Sequence, residues 1–282
     1  MSSTLTWHTF VTPSIPTAIT DLPPGISQRV WSPITAVLIA GERDAVLVDP
    51  FMTVSQASEL ADWVATFDKN LTTIYVTHAH GDHWFGLSTL LERFPGARAV
   101  AAPNVVASMR QGMDPDFVDS FWRTRFPGQI PDNLVAAEPL EGTTLDLEGH
   151  ALRVIDLAHT DTDDTTALHV PDLDLVVAGD AVYNGVHLYL AESPGDVRKS
   201  WLSALDTIEA LGASIVIAGH KNPDLPDDPK IIEETRAYIH QFAALEGTTS
   251  TTEELYAAML ADHGDRLNQG ALWGSSRASK GF

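Results

Sequence analysis

Apolar and polar positions along the chain fall into short blocks whose spacing predicts the elements. Ile34 to Ile39 and Ala45 to Val48 are apolar and partly β-branched, and the polar tetrad Gly41-Glu42-Arg43-Asp44 between them predicts strand, tight turn, strand. Ala57 to Phe67 repeats apolar residues at helical spacing and Leu71 to Val76 is a β-rich run, so a helix delivers the chain to a buried strand ending at Thr77. Leu87 to Phe94 predicts a helix and Ala99 to Ala102 a short strand. Asn104 to Phe126 predicts helix in pieces, broken near Asp114-Pro115 because the residue before proline avoids the helical region. Two hairpins follow, Thr143 to Leu147 with Ala151 to Ile155 and Thr166 to Val170 with Leu173 to Val177, turned at Glu148-Gly149-His150 and Pro171-Asp172. Val197 to Leu211 is an amphipathic helix, Ser214 to Ala218 a strand, and Lys230 to Leu245 and Thr252 to Ala261 are closing helices. Two successive batches of strands and helices predict sheets covered by helices on their outer faces, an α/β or α+β architecture. Pro13, Pro16, Pro23 and Pro24 make residues 1–30 an extended arm with little regular structure, packed on a single domain over 31–282.

Composition narrows the partners. Lys plus Arg number 17 against 38 Asp plus Glu, a formal net charge of −21, and that field repels nucleic acid and anionic lipid surfaces. The 282 residues contain no cysteine, which removes disulfides, thiolate metal sites and thiol nucleophiles, so any metal is held by nitrogen and oxygen. Met1 to Phe10 has no basic run followed by an apolar stretch, and no window approaches the ~20 apolar residues that span a bilayer. A cytoplasmic protein acting on a small molecule, without nucleic acid or membrane partner, is the expectation; a homodimer stays open.

The chemistry concentrates where an apolar strand runs out, in Thr77-His78-Ala79-His80-Gly81-Asp82-His83. On extended backbone His78 and His80 point the same way, and Gly81 permits the turn that brings Asp82 and His83 round. Imidazole and carboxylate suit a borderline divalent ion such as zinc, with manganese, cobalt and iron as alternatives. The same strand-end position recurs at His159, Asp180 and His220, each a lone polar residue closing an apolar run. His8, His150, His169, His240 and His263 lack such neighbours and read as structural.

These residues resemble the metallo-β-lactamase superfamily, whose HxHxDH motif is matched by His78, His80, Asp82 and His83, and whose later histidine, aspartate and histidine are matched by His159, Asp180 and His220. The resemblance covers roughly residues 35–220. It implies a four-layered αββα sandwich with the site at one edge of two facing sheets, and two divalent metals, zinc first. His78, His80 and His159 would hold one, Asp82, His83 and His220 the other, with Asp180 bridging. It further implies that Asp49 braces the first motif, and that a hydroxide shared by the metals attacks a carbonyl without a side-chain nucleophile, Asp82 passing the proton to the leaving group.

Absences separate the branches. No cysteine excludes the penicillin-hydrolysing branch with a thiolate ligand, His80 stands where oxygen-reducing di-iron members carry glutamate, and the short span from Asp180 to His220 has no room for the inserted domain of RNA-processing members. The lactonase and glyoxalase-type branch with a bridging aspartate remains. In acyl-homoserine lactonases a tyrosine three residues past the bridge bonds the substrate carbonyl, which makes Tyr183 either an oxyanion donor or an aromatic packed under the site. Trp84 and Phe85 replace small residues and are expected to narrow the pocket mouth; His187 is a further pocket candidate. Asp161, Asp163 and Asp164, beside His159, either brace ligands, cap a turn or repel an anionic substrate. The apolar face from Met109 to Phe126 fits core, a lid over 104–126, or a dimer surface. No Lys/Arg cluster flanks the motifs, so the expected substrate is a lactone or other neutral, fairly apolar carboxylic ester. A β-lactam or amide hydrolase, or a non-catalytic metal-binding scaffold, are the alternatives.

Overall fold

The arm is partly ordered into sheet. The computed structural model describes residues 5–281, so the remaining four residues of the arm's start and Phe282 of the carboxyl end lie outside the described residues. Thr6–Val11 (β1) pairs antiparallel with Thr35–Ala40, which corrects the expectation of an irregular arm. The reason is local: Thr-Trp-His-Thr-Phe-Val precedes the first proline, and β-branched and aromatic side chains suit an edge strand. Ile15–Pro16 (β2) and Val30–Trp31 (β3) form a second small ladder that folds the arm back on itself.

The first large sheet continues with Thr35–Ala40 (β4), Asp44–Val48 (β5), Asn70–Val76 (β6), Arg98–Ala101 (β7) and Glu138–Pro139 (β8), in the order β1-β4-β5-β6-β7-β8. From β5 to β8 all pairings are parallel, and every residue of β4 is buried. The second sheet contains Thr144–Leu147 (β9), His150–Ala158 (β10), Thr165–Val170 (β11), Leu175–Asn184 (β12) and Ile215–Lys221 (β13), ordered β13-β12-β11-β10-β9, with β12 and β13 parallel.

The inner faces of the two sheets meet in one core: Val37, Ile39, Val46, Val48 and Tyr75 from the first pack with Leu152, Leu168, Val170, Val177 and Ile217 from the second. Val54–Ala65 (α1), Leu87–Arg93 (α2) and Pro103–Gly112 (α3) cover the outer face of the first sheet, burying Leu60, Val64, Leu90 and Met109. A short turn of helix at Pro115–Phe117 (α4) runs into a wide helical turn over Val118–Arg123. Arg198–Ala210 (α5), Lys230–Thr248 (α6), Thr252–His263 (α7) and Gln269–Lys280 (α8) cover the outer face of the second sheet. These are four layers, αββα. Among the described residues no helix is long and apolar enough to cross a membrane.

The apolar face of segment 104–126 packs into the core, while Phe117, Phe121, Trp122 and Arg125 line the cavity described below. Val105, Val106, Met109, Val118, Trp122 and Phe126 are buried, and only its Phe117 is an exposed large apolar side chain. Trp84 and Phe85 differ from expectation: they are 0% and 1% exposed, packed edge to face in the core beneath the metal-type motif, with Trp84 Nε1 donating to the Ala79 carbonyl. The short turn Gly81–His83 reverses the chain there, so the bulky pair that follows is driven inward.

Candidate metal centre

β6 ends at Val76, and the chain then carries His78, His80, Asp82 and His83 across the end of the first sheet; β12 and β13 bring Asp180 and His220 from the second. Two glycines make the approach possible. Gly179 adopts φ +54°, where a Cβ would meet Thr77 Oγ1 at 2.8 Å, and a Cβ on Gly219 would come within 2.1 Å of Asp180 Oδ1. A side chain at Gly219 would push the Asp180 carboxylate out of the centre, and one at Gly179 would collide with Thr77.

Among the described residues the donor atoms form three groups, one of which, Asp49 with His78 and His83, includes the bracing carboxylate described below; the other two are neighbours. His78, His80, Asp161 and Asp180 each offer a ligand atom within 4.8 Å of the others, and so do Asp82, His83 and His220. Asp180 reaches toward both: its Oδ1 lies 3.3 Å from His83 Nε2, and its Oδ2 lies 3.2 Å from His220 Nε2 and 4.0 Å from His78 Nε2. Asp82 Oδ2 lies 3.4 Å from His220 Nε2.

His159 is not in either group. Both of its ring nitrogens are engaged elsewhere, Nδ1 donating to Asp163 Oδ1 at 2.6 Å and Nε2 lying 3.0 Å from Ser193 Oγ. Asp161 stands in the position expected for it, fully buried, with Oδ2 2.8 Å from His80 Nδ1 and 3.8 Å from His78 Nε2. The cause is a break in the β10–β11 register between Asp156 and Ala158, where Ala158 takes a left-handed φ of 54°. That twist turns His159 away and carries the chain two residues further before a side chain faces the centre. Thr160 Oγ1 fixes Asp161 Oδ1 at 2.9 Å, leaving Oδ2 turned toward His80 and His78. The other two acids brace the loop: Asp163 holds His159, and Asp164 accepts from Asn104 and Ser108.

The residues fit divalent metal ions on their own geometry. His78 Nε2, His83 Nε2, Asp161 Oδ2 and Asp180 Oδ1 are buried without any hydrogen-bond partner. Orphaned buried donors and acceptors are costly unless something else satisfies them, and here they converge. Outer partners fix each ring so that its lone pair faces inward. His83 Nδ1 donates to Asp49 Oδ2 at 3.0 Å, His220 Nδ1 to the Pro33 carbonyl at 2.7 Å and His80 Nε2 to Glu192 Oε1 at 3.4 Å. His78 Nδ1 meets Thr77 Oγ1 at 2.9 Å, and that hydroxyl donates in turn to Asp49 at 2.8 Å. Asp49 therefore braces two ligand-type histidines at once, an arrangement that fixes tautomer and orientation.

The electrostatics agree. Burial opposes ionisation of Asp180, but the His220 and His83 rings outweigh it and hold the carboxyl well below the usual range. Burial likewise opposes charge on His83 and His220, and Asp180 and Asp82 raise both, His220 to about 10. Buried carboxylates of this density require positive charge beside them, supplied by protons or by metal ions.

The centre opens into a cavity of about 590 Å³. His80, Asp82, Asp180 and His220 lie on its floor, and Tyr183, His187, Trp31, Phe121 and Trp122 on its walls; Trp84 and Phe85 are not part of it. Tyr183 Oη donates to Asp180 Oδ2 at 3.0 Å, so its hydroxyl is directed at the shared carboxylate. His187 Nδ1 lies 2.9 Å from Tyr238 Oη, and its Nε2 is buried without a partner. Asp161, Trp31 and Glu192 escaped the sequence reading. Only Asp161 left a signal there, as one of the acids beside His159.

Known proteins place the chain. The sequence profile of the Metallo-beta-lactamase superfamily matches residues 29–220. A hydroxyacylglutathione hydrolase of Parasynechococcus marenigrum (strain WH8102) is 30% identical over 163 residues, 56% of this chain and 55% of that protein. One from Actinobacillus pleuropneumoniae serotype 5b (strain L20) is 34% identical over 89 residues, 32% of this chain and 33% of that protein. The chain thus spans about half or less of the length of these curated relatives. Among solved structures, a metallo-beta-lactamase family protein from Thermus thermophilus superposes with TM-score 0.64 at 23% identity, covering 96% of this chain and 91% of that one. A metallo-beta-lactamase from Pontibacter korlensis gives TM-score 0.56 at 19% identity, covering 84% and 95%. With the αββα layers, the paired His/Asp groups at the sheet ends and a profile match over most of its length, the chain belongs to the metallo-beta-lactamase superfamily.

Proposed function

We propose that this chain is a dinuclear metal-dependent hydrolase that cleaves a carboxylic ester, lactone or thioester at its carbonyl. The observation that carries the reading is the pair of adjacent donor groups sharing Asp180 on the floor of a cavity large enough for a small-molecule substrate. Each group completed by Asp180 offers two imidazoles and two carboxylates: His78, His80, Asp161 and Asp180 in one, Asp82, His83, His220 and Asp180 in the other. Two divalent ions held there, zinc first, would supply a water activated at neutral pH and polarise a carbonyl oxygen.

The chain's own residues do the rest. Asp180, fixed by Tyr183, keeps the two groups at one separation. Asp82 is a ligand before it is a base. Burial opposes its ionisation, yet His83 and His220 hold it well below the ordinary carboxylate range, which makes it a weak proton acceptor with proton transfer to the leaving group as its secondary part. Trp31, Phe121 and Trp122 form an aromatic wall that excludes water and receives an apolar acyl chain.

The test is a panel of aryl ester, lactone, thioester and cephalosporin substrates with zinc-loaded protein, before and after chelation. Metal-dependent turnover of the ester-type substrates that disappears in Asp180→Asn is the expected result. Turnover confined to the cephalosporin would overturn the ester reading, and no turnover of any substrate by protein shown to carry two metals would overturn the hydrolase reading.

A further inference from the structure

The cavity that the metal-type residues line also carries cationic side chains. Arg29, Arg125 and Arg277 all line it, from the returning arm, the wide helical turn's exit and α8. In a chain of net charge −21 the general field disfavours anions, so three guanidinium groups gathered in one cavity form a local exception.

Asp21 is shared by two of these groups. Arg277 and Arg29 both engage it, Arg29 with Nη1 at 3.7 Å from Asp21 Oδ2, and Arg29 Nη2 also donates to the Gly270 carbonyl at 2.7 Å. Those two arginines tie the arm to α8. Arg125 is different: its Nη1 donates to the Phe121 carbonyl at 2.8 Å and its guanidinium lies 3.6 Å over the Phe121 ring. Among the described residues it has no ion-pair partner. Burial and the neighbouring Arg29 charge both work against it and lower its proton affinity. A half-buried guanidinium held over an aromatic ring, next to a second cation and facing a cavity, gains most from an anion supplied from outside.

We propose that the substrate carries a carboxylate at the end remote from the scissile carbonyl, and that Arg125, backed by Arg29, binds it. This rests on the hydrolase reading and sharpens it, and it replaces the neutral substrate expected from the sequence. Arg125 is a specificity-determining residue in this account. Phe121, beneath the guanidinium, and Trp122 beside it bound the stretch of substrate between carboxylate and carbonyl.

The test uses matched pairs that differ only by a terminal methyl or carboxylate. Zinc-loaded protein is assayed with p-nitrophenyl pentanoate and mono-p-nitrophenyl glutarate, and the binding of pentananilide and glutaric acid monoanilide is measured by calorimetry. The wild type is expected to prefer the carboxylate member of each pair. In Arg125→Gln the ratio of anionic to neutral kcat/KM falls about 10- to 100-fold, through KM, as loss of a charge-assisted pair predicts, and the anilide preference falls with it. Arg125→Lys, which keeps the charge, restores part of both, and rising salt erodes both. Equal effects of Arg125→Gln on the two members of each pair, or no wild-type preference for carboxylate, overturn the inference while leaving ester hydrolysis standing. If neither ester turns over but the anilide preference is present and is lost in Arg125→Gln, the anion site stands and the hydrolase reading falls.

Discussion

The indole Nε1 of Trp31 donates to Asp82 Oδ2 at 2.8 Å, joining the folded-back arm to the metal-type motif fifty-one positions later. The same oxygen faces His220 Nε2 at 3.4 Å and His83 Nε2 at 3.9 Å. Trp31 is itself held edge to face on Phe126 and tilted against Trp122, so the donor is positioned by packing. The arm is therefore part of the site.

Trp31→Phe keeps most of that packing and removes the donor. Affinity for the metal beside Asp82 is expected to fall roughly tenfold or more, in the range typical of lost outer-sphere partners. Competition titration with a chromophoric chelator reads this directly, and an unchanged affinity would reduce the contact to packing.

Asp161, and not His159, stands with His78, His80 and Asp180 in one donor group. Asp161→Asn is expected to lower metal content from two ions toward one, because it removes the charge from a buried ligand oxygen. His159→Asn is expected to keep two, losing only its bonds to Asp163 and Ser193. Metal analysis after dialysis separates the two; loss of an ion in the His159 variant alone would reverse the assignment.

Tyr183 Oη donates to Asp180 Oδ2, so bracing that carboxylate is its expected role. Tyr183→Phe should weaken metal binding on the order of tenfold and leave kcat at saturating metal within about threefold. A fall in kcat of about a hundredfold or more with metal affinity intact would instead identify the phenol as an oxyanion donor.

His187 predicts an acid-sensitive fold. Burial, then the Arg266 and His263 charges, lower its pKa from 6.5 to about 3. The unfolded state therefore binds its proton first, and stability present above pH 6.5 is lost progressively as pH falls toward 3. His187→Asn should flatten the acid limb of the melting profile by on the order of a few °C between pH 6.5 and 4.5, measured by thermal denaturation. An acid limb of unchanged slope would show that other groups carry it.

The fold was legible where residues repeat at a clean period. The alternation of apolar blocks from Ile34 to Ala218 yields strands and helices close to those observed, because both faces of each sheet are covered and their side chains are buried. Helix α8 escaped the pattern. Its buried face includes Gly270, Ser275 and Ser276, small residues that allow close packing but carry little hydrophobic signal. At the site, His78, His80, Asp82, His83, Asp180 and His220 were legible from their place at strand ends, and the structure gathers all six. His159 was misplaced because a left-handed residue at Ala158 shifts which side chain faces inward, a backbone event that residue order does not display. Trp84 and Phe85 failed similarly: polarity places them near a pocket or in a core equally well, and the turn at Gly81–His83 chooses the core. The arginine cluster was invisible because Arg29, Arg125 and Arg277 are far apart in the chain and meet only through the arm and α8.

The central claim is a pair of metal ions sharing Asp180, and anomalous scattering from crystals of zinc-loaded protein tests it most directly. Two peaks are predicted, one bounded by His78, His80, Asp161 and Asp180 and the other by Asp82, His83, His220 and Asp180. A single peak, or a peak coordinated by His159 in place of Asp161, would contradict it.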